Sequence, residues 1–323
     1  MDKTTTMSKN IIVFGGNGLV GSEMKFGTRV GRDECDLLNY NEVYSFLDTN
    51  KPKWVVNCAG KVGGIMANMN GGLSFFEDNL MINLNVIKAC MQLNIKNLIS
   101  FSSTCVYPAS LGHKGLKESD LHNGEPHESN YPYAYAKRMV EVMTRIANKE
   151  GFNFKCLIPT NVYGSNDNYN LQSSHLVPAL IHKAYLESNT DKDIKRLEVW
   201  GDGTPIREFI YAVDIAKIVE TIILNDKYYL PSNNFTTLNL SSGISFTIKE
   251  IAETIASLYE LEGVIFDTTY PNGQPIKEVD STLFMSLFPN FDFTPIYDGL
   301  SITTRAFENN YKNKKARIWN EHL

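Results

Sequence analysis

The stretch that decides the fold is Ile11-Ile-Val-Phe-Gly-Gly-Asn-Gly-Leu-Val-Gly21, near the start of the chain. Its four apolar residues predict a buried β-strand, and glycines follow at positions 15, 18 and 21. Glycine allows a tight turn and a close approach to a pyrophosphate, so a strand followed by this spacing is typical of dinucleotide-binding loops. An ordinary glycine-rich turn is the alternative. The expected cofactor contacts here are Gly15, Gly16, Asn17, Gly18, Leu19, Val20 and Gly21.

Strands and helices alternate downstream of this loop. The predicted elements are a strand at 54–59, a helix at 73–93, a strand at 98–102, a helix at 133–148 and a strand at 154–158. This alternation predicts an α/β fold with a Rossmann-type, doubly wound parallel sheet. Helices near 176–188, 214–225 and 247–259, separated by short strands, predict a smaller C-terminal α/β region that binds substrate.

The regular alternation of strands and helices loosens near residue 165, and the expected domain organisation follows from that change. Residues 10–165 are expected to form the dinucleotide-binding domain, to which later segments return. Residues 166–305 are expected to be mainly substrate-binding. Residues 1–9 and 308–323 are polar and are expected to be tails.

Composition excludes several classes of protein. The 323 residues are 43% hydrophobic, which suits a globular core, and the net charge of -5 predicts no nucleic-acid partner. No apolar run reaches the ~18 residues of a membrane span, so no membrane association is expected. The five cysteines are scattered, without a C-x-x-C pair, which favours neither disulfides nor a metal site. A reducing, cytoplasmic location is therefore expected.

The connection after the glycine loop is unusually short. Only residues 22–31 separate Gly21 from Arg32, although they must contain a helix and a second strand, so the first helix must be truncated. Arg32 falls where the second strand should end, beside the adenosine ribose. A cation at that place suits the 2′-phosphate of NADP(H), whereas NAD enzymes place a carboxylate there. A surface ion pair between Arg32 and Asp33 is the alternative.

A candidate reaction centre lies at the start of the helix predicted at 133–148. Tyr133 and Lys137 are four residues apart and share a helix face, so the lysine ammonium is expected to favour the phenolate. Such a tyrosine would exchange protons near neutral pH. Ser102 and Ser103 end the preceding strand and supply hydroxyl groups at the edge where parallel sheets bind ligands. The tyrosine–lysine spacing alone also occurs by chance in many helices.

Together these motifs resemble the extended short-chain dehydrogenase/reductase superfamily, and more specific segments resemble its GDP-L-fucose synthase family. The similarity runs from about Asn10 to Ser301. The segments are Gly60-Lys-Val-Gly-Gly-Ile-Met-Ala-Asn68, Ser103-Thr-Cys-Val-Tyr-Pro108, Pro159-Thr-Asn-Val-Tyr-Gly-Ser-Asn-Asp-Asn168, Ser174-His-Leu-Val-Pro-Ala-Leu180 and Val199-Trp-Gly-Asp-Gly-Thr-Pro-Ile-Arg-Glu-Phe209.

The resemblance implies NADPH-dependent 3,5-epimerisation and 4-reduction of a GDP-4-keto-6-deoxy sugar. Ser103, Tyr133 and Lys137 would serve the reduction, with Cys105 as the base and His175 as the acid of the epimerisation. A ketone at C4 acidifies the hydrogens at C3 and C5, and thiol and imidazole groups titrate near enough to neutrality to move them. The alternatives are a buried structural cysteine and a histidine bound to backbone at a helix start.

The resemblance also implies the remaining binding residues and a homodimer. Further cofactor contacts are Asp36, Ala59, Gly60, Phe101, Ser102, Lys137, Pro159, Thr160, Asn161, Val162 and His175. Substrate contacts are Lys183, Trp200, Arg207, Asn272 and Lys277, with a core position as the alternative for Trp200. The chain departs from the family pattern at Asn17 and Lys183, where arginine is expected, and at Asn272, where an acid is expected.

Other reactions of the superfamily are weighed against this one. A 4,6-dehydratase needs an acid at the strand end, and no Asp or Glu lies between Phe101 and Pro108. A 4-epimerase or a reductase without epimerase activity needs neither Cys105 nor His175. The same chemistry on a heptose or colitose precursor stays open, because pocket shape decides it. An inert NADP-binding scaffold is the non-enzymatic alternative.

Overall fold

A computed structural model describes residues 10–112, 114–225, 228 and 235–318, without the side chains of residues 65–71. The strands are β1 Ile11–Phe14, β2 Thr28–Val30, β3 Trp54–Asn57, β4 Asn97–Phe101, β5 Asn153–Pro159, β6 Asn161–Tyr163, β7 Leu197–Trp200, β8 Ile206–Tyr211, β9 Thr237–Leu240, β10 Ser245–Thr247, β11 Val264–Asp267 and β12 Ile276–Lys277. The α-helices are α1 Tyr40–Asn50, α2 Ile65–Gln92, α3 Tyr131–Lys149, α4 Leu176–Ser188, α5 Ala212–Leu224, α6 Ile248–Leu258, α7 Thr282–Leu287 and α8 Ile296–Lys312.

The central sheet has six strands in the order β2-β1-β3-β4-β5-β9, and every neighbouring pair is parallel. All four residues of β1 and of β3 are buried, because helices cover both faces of the sheet. Apolar residues of α1, α2 and α3 pack on one face, and those of α5 and α7 pack on the other. The predicted Rossmann-type α/β fold is confirmed.

The first crossover is truncated, as the short spacing predicted. Between β1 and β2 the structure has a single 3₁₀ turn, Gly21–Glu23. The Arg29 side chain donates an Nη1 hydrogen bond to the Ser22 carbonyl oxygen at 3.0 Å, and Met24 is fully buried against the sheet. One arginine and one methionine therefore take the place of a complete helix.

The helix α2 begins earlier than the apolar pattern predicted. It starts at Ile65 instead of 73, and Gly72 interrupts it with φ 44° and ψ −127°. A positive φ costs glycine little, which is why the chain can bend at this position. The regular pattern in the sequence therefore marked only the part of α2 that follows the bend.

The second region contains β6, β7, β8, β10, β11 and β12. Strand β8 pairs with β6 and β12 in parallel and with β10 antiparallel, while β7 and β11 form a separate parallel pair. Helices α4, α6 and α8 share an apolar core with these strands. The helices predicted near 176–188, 214–225 and 247–259 are confirmed as α4, α5 and α6.

Residues 308–318 lie against this region. Residues 308–312 continue α8, and the following residues reach the loop after β6. Tyr169 donates its backbone N–H to the Arg317 carbonyl at 2.8 Å, and the Asn170 amide donates to the Ile318 carbonyl at 2.9 Å. Residues 1–9 and 319–323 lie outside the described residues. In the described part of the chain, no helix is both long and apolar enough to cross a membrane.

Candidate active site

The glycine loop folds tightly against the end of β3. Gly15 has φ 70°, and a Cβ at this residue would lie 2.7 Å from the Ala59 backbone nitrogen. A Cβ on Gly21 would clash with the Gly15 carbonyl oxygen, and Gly18 donates its N–H to that oxygen at 2.9 Å. Side chains at Gly15 and Gly21 would fill the space around this loop, which we call the glycine cradle. Because both residues are glycine, the loop fits the close approach of a pyrophosphate.

The turn that follows β2 holds a cation without an ion-pair partner among the described residues. Arg32 is exposed. It forms no ion pair with Asp33 or with any other residue that the structure describes. The Asn17 amide lies against Gly31, directly after β2. The Asp36 carboxylate accepts a hydrogen bond from the Leu38 N–H at 3.1 Å, within its own turn. The alternative of an Arg32–Asp33 ion pair is therefore wrong in this structure.

The other expected cofactor residues lie at the carboxyl ends of neighbouring strands, where open α/β sheets bind their ligands. They follow or end β3, β4 and β5, as Ala59, Gly60, Phe101, Ser102, Pro159, Thr160, Asn161 and Val162. Their polar groups are held by neighbouring elements. The Ser102 hydroxyl donates to the Lys137 carbonyl at 3.2 Å, and the Asn161 amide donates to the Glu208 carbonyl at 2.7 Å.

Ser103, Tyr133 and Lys137 meet at this edge. Burial raises the pKa of Tyr133 well above its usual value, the charge of an ionised Cys105 raises it further, and a hydrogen bond with Ser103 opposes both effects. Burial lowers the pKa of Lys137 to about 8. Its ammonium donates to the Phe101 carbonyl at 3.1 Å and lies 5.9 Å from the centre of the Tyr133 ring.

The expectation that Lys137 brings the Tyr133 pKa toward neutrality is therefore wrong in this structure. The ammonium is directed at a backbone oxygen, and the removal of water from the phenol raises the pKa of Tyr133. Tyr133 is consequently a neutral phenol at pH 7. In that state it is equipped to donate a proton rather than to accept one.

A buried asparagine that was not predicted from the sequence positions the loop after β3. The Asn79 side chain is fully buried and donates to the Lys61 and Phe75 carbonyls at 2.9 and 2.8 Å, while its oxygen accepts from the Lys61 N–H at 3.1 Å. A Cβ on Gly60 would lie only 3.2 Å from the Lys137 Nζ atom. The signal in the sequence that could have indicated this role is a polar residue, Asn79, at a core position of the apolar helix α2.

Cys105 lies beside this group. Ser103 caps the 3₁₀ helix Thr104–Val106, and its hydroxyl oxygen accepts from the Cys105 N–H at 3.3 Å. Lys277 of β12 donates from Nζ to the Cys105 sulfur at 3.3 Å. Cys105 is half-buried, so the alternative of a fully buried structural cysteine does not describe it.

His175 immediately precedes α4, near the loop after β3. Its side chain is open to solvent, but the surrounding protein removes enough water to lower its pKa, and the charge of Lys277 lowers it further. The Gly64 N–H donates to the Ser173 carbonyl at 2.9 Å and so connects the two loops. The structure therefore brings His175, Cys105 and Lys277 to the same edge as Tyr133.

The expected phosphate-binding cations lie in different environments. Arg207 of β8 is in register with Lys277 of β12, and its guanidinium donates to the Ile206 and Gln274 carbonyls at 2.7 and 2.6 Å. Lys183 of α4 pairs with the Glu198 carboxylate at 3.3 Å. Arg207 and Lys277 thus share one strand pair, whereas Lys183 is held on a helix.

An exposed aromatic stack forms the outer part of this region. Trp200 and Tyr270 are 45% and 41% exposed, and their rings are stacked 4.1 Å apart at an angle of 7°. The alternative of a core position for Trp200 is therefore wrong. The Lys183 ammonium lies 4.7 Å from the indole centre, and the Asn272 oxygen accepts from the Asp202 N–H at 2.8 Å. No local pattern in the sequence indicated that Tyr270 would pair with Trp200.

A glycine loop after the first strand, together with serine, tyrosine and lysine at the carboxyl edge of a parallel sheet, defines a nicotinamide-dependent enzyme of the extended short-chain dehydrogenase/reductase class. Comparison with known proteins agrees with this class. Residues 22–231 match the NAD dependent epimerase/dehydratase family. The chain belongs to that family and, within it, to the GDP-L-fucose synthases.

Three similar proteins cover almost the whole chain. The GDP-L-fucose synthase of Dictyostelium discoideum is 35% identical over 96% of this chain and 99% of its own length. The GDP-L-colitose synthase of Yersinia pseudotuberculosis is 31% identical over 94% and 99%. A crystal structure of a GDP-L-fucose synthetase from Naegleria fowleri bound to NADP is 32% identical, covers 95% of this chain and 94% of that one, and has a TM-score of 0.85.

Proposed function

We propose that the chain catalyses the NADPH-dependent 3,5-epimerisation and 4-reduction of GDP-4-keto-6-deoxy-D-mannose to GDP-L-fucose. One observation carries the proposal: a half-buried thiol, Cys105, stands beside the Ser103–Tyr133 pair and contacts a lysine. A reductase without epimerase activity needs the serine and tyrosine but has no use for the thiol. A dehydratase would need an acid in its place.

The chain's own residues fit NADP(H). The glycine cradle would hold the pyrophosphate, and the unpaired Arg32 would meet the 2′-phosphate. Residues at the carboxyl ends of β3, β4 and β5 would line the rest of the cofactor. When bound, NADPH supplies the hydride that reduces the C4 ketone.

The epimerisation uses the acidity that the C4 ketone gives to C3 and C5. Cys105 takes a proton from the carbon, and the electron pair moves to the carbonyl oxygen as an enolate. His175 returns a proton to the opposite face. The lowered pKa of His175 makes its protonated form a stronger acid, so it transfers that proton readily once it carries one.

The reduction uses Tyr133 as the acid. A phenol with a raised pKa is fully protonated at neutral pH and can deliver its proton to the C4 oxygen as that oxygen becomes negative. The hydrogen bond from Ser103 stabilises the phenolate that remains. Lys137, held by the Phe101 carbonyl, keeps a positive charge behind the tyrosine below about pH 8.

The second region would hold the GDP moiety. Lys183 carries a positive charge next to the stacked rings, and Arg207 carries one close to Cys105. Both cations are therefore suited to binding the diphosphate. The exposed face of the Trp200–Tyr270 stack offers a surface for guanine. Asn272, bonded to the adjacent turn, would contact the nucleotide beside them.

A homodimer is part of the proposal. Met81 and Leu84 of α2 are 39% and 37% exposed, and Ile146 of α3 is 51% exposed. Apolar side chains of this size on two packed helices suit burial against the same helices of a second copy. Sedimentation of the native protein and of Ile146→Glu tests this pairing. The five free cysteines suit a reducing compartment, and we infer the cytoplasm.

The decisive experiment supplies GDP-4-keto-6-deoxy-D-mannose and NADPH in deuterated water and identifies the product by NMR. We expect GDP-L-fucose with solvent deuterium at both C3 and C5, because both protons are exchanged. A product reduced at C4 but without deuterium would contradict the proposal. So would binding of NADPH without turnover, which would favour the inert scaffold.

A second candidate acts on the 4-keto precursor of GDP-L-colitose. The 31% identity with GDP-L-colitose synthase over 94% of the chain favours it. The two candidates are separated by measuring kcat/KM for both sugars under identical conditions. The proposed substrate should be preferred, and a higher kcat/KM for the colitose precursor would replace the first candidate with the second.

A further inference from the structure

Lys277 contacts the proposed base directly. Its ammonium donates a hydrogen bond to the Cys105 sulfur at 3.3 Å, and 172 positions separate the two residues in the chain. The resemblance to the family implied a place for Lys277 at the substrate diphosphate. The contact with sulfur gives it a different place in the site.

The strands around Lys277 separate positive from negative charge. Lys277 of β12 lies in register with Arg207 of β8, so both side chains project from one face of the sheet. Glu208, the next residue of β8, and Glu278, directly after β12, lie on the opposite side of the sheet. There Glu208 accepts from the Ser241 hydroxyl at 2.7 Å, and Glu278 accepts from Ser245 at 2.6 Å. The face toward Cys105 is therefore cationic.

Lys277 is the cation of this face that touches the thiol. Arg207 is influenced by the charge of an ionised Cys105, but its guanidinium donates to the Ile206 and Gln274 carbonyls. Tyr133 also faces Cys105 and is neutral, and His175 faces Lys277 from the start of α4. The ammonium of Lys277 is thus the one charge shown in hydrogen-bond contact with the sulfur among the described residues.

We propose that Lys277 is a positioning residue for the epimerisation: its ammonium holds the Cys105 sulfur by a hydrogen bond, stabilises negative charge on it and aims it at the substrate. A thiol is a proton acceptor only when ionised, and a free cysteine is mostly un-ionised at neutral pH. An ammonium in hydrogen-bond contact stabilises the negative charge that the sulfur carries when it acts as a base. Lys277 thereby acts through Cys105 and leaves the reduction by Tyr133 to other groups.

The inference rests on the proposed function, but its first test needs no sugar. Alkylation of Cys105 by iodoacetamide is followed by peptide mass spectrometry between pH 5.5 and 9.5 in the full-length protein. Lys277→Met removes the charge at nearly constant length, and Lys277→Arg restores a cation. Lys249→Met, a neighbouring-region lysine paired with Glu253, makes the same chemical change away from the site.

At pH 7 we expect Lys277→Met to slow alkylation of Cys105 at least about tenfold and to move its pH profile to higher pH. Lys277→Arg should recover most of the rate. Lys249→Met should leave it unchanged. Equal rates at Cys105 in native protein and Lys277→Met, or no recovery with arginine, would overturn the inference.

A second measurement separates the inference from the proposed function. With GDP-4-keto-6-deoxy-D-mannose and NADPH, Lys277→Met should lose exchange of the C3 and C5 protons much more than it loses ketone reduction. If Lys277 served the diphosphate alone, the KM for the sugar would rise while alkylation stayed unchanged, and the inference would fail. If the alkylation results hold but native protein does not turn this sugar over, the proposed function fails and the lysine–thiolate pair stands.

Discussion

A buried carboxylic acid in the loop that leads to His175 gives the most quantitative prediction. Asp167 is 4% exposed, and one oxygen accepts from the Asn168 N–H at 2.7 Å. Its other oxygen has no hydrogen-bond partner in the described part of the chain. Burial raises the pKa of Asp167 from 3.8 to about 7, although the Asn168 bond and the charge of Arg317 oppose the rise.

The pH dependence follows from this difference. Because the folded pKa is raised, the unfolded chain ionises first as pH rises, so the stabilising contribution is complete below pH 4 and is lost as the pH passes 7. A difference between 3.8 and about 7 corresponds to about 4 kcal/mol at 1.36 kcal/mol per pKa unit. Between pH 5 and pH 8 alone, the native protein should lose about 2.5 kcal/mol through this group.

Asp167→Asn removes the titration and keeps the oxygen that accepts from Asn168. We expect the free energy of unfolding of the variant, relative to native protein, to increase by about 2.5 kcal/mol between pH 5 and pH 8. Urea unfolding followed by circular dichroism at several pH values measures it. Asp267→Asn is the control: hydrogen bonds from Thr269 lower the pKa of Asp267 below 3.8, so this carboxyl stays ionised and the variant should follow native protein between pH 5 and pH 8. Parallel pH profiles for Asp167→Asn and native protein would refute the reasoning.

Three further predictions concern catalysis and cofactor choice. Tyr133→Phe should lower the rate of ketone reduction, measured by NADPH oxidation, by ~10²–10⁴-fold. Binding of the nucleotide sugar, measured by calorimetry, should stay unchanged. An unimpaired variant would assign the proton to another group. Cys105→Ser should abolish solvent deuterium at C3 and C5 but keep reduction of the unepimerised ketone, and labelled GDP-L-fucose from it would place the base elsewhere. Arg32→Ala should reduce the preference for NADPH over NADH, measured as the ratio of kcat/KM values, about tenfold or more, because a charge-assisted contact contributes ~1.5–3 kcal/mol. Equal use of both cofactors by native protein would contradict the role of Arg32.

Local patterns in the sequence were sufficient for the central fold. The apolar run Ile11–Phe14 and the glycines after it correctly predicted β1 and a tight loop, since both features depend on residues a few positions apart. The short spacing before Arg32 correctly predicted a truncated first helix. Helix α4 was predicted at its observed bounds, whereas the earlier start of α2 was missed because the bend at Gly72 interrupts the apolar period.

The tertiary structure alone decided how the site residues meet. Lys277 contacts Cys105 across 172 positions, and Trp200 stacks on Tyr270 across 70. The neutral phenol of Tyr133 likewise depends on burial, which helix spacing does not report. Hydrophobic periodicity records which face of an element is buried, but it carries no information about which distant strand lies beside it. The sequence thus determined the fold class and the candidate chemistry, while pairing of β8 with β12 placed the lysine beside the thiol.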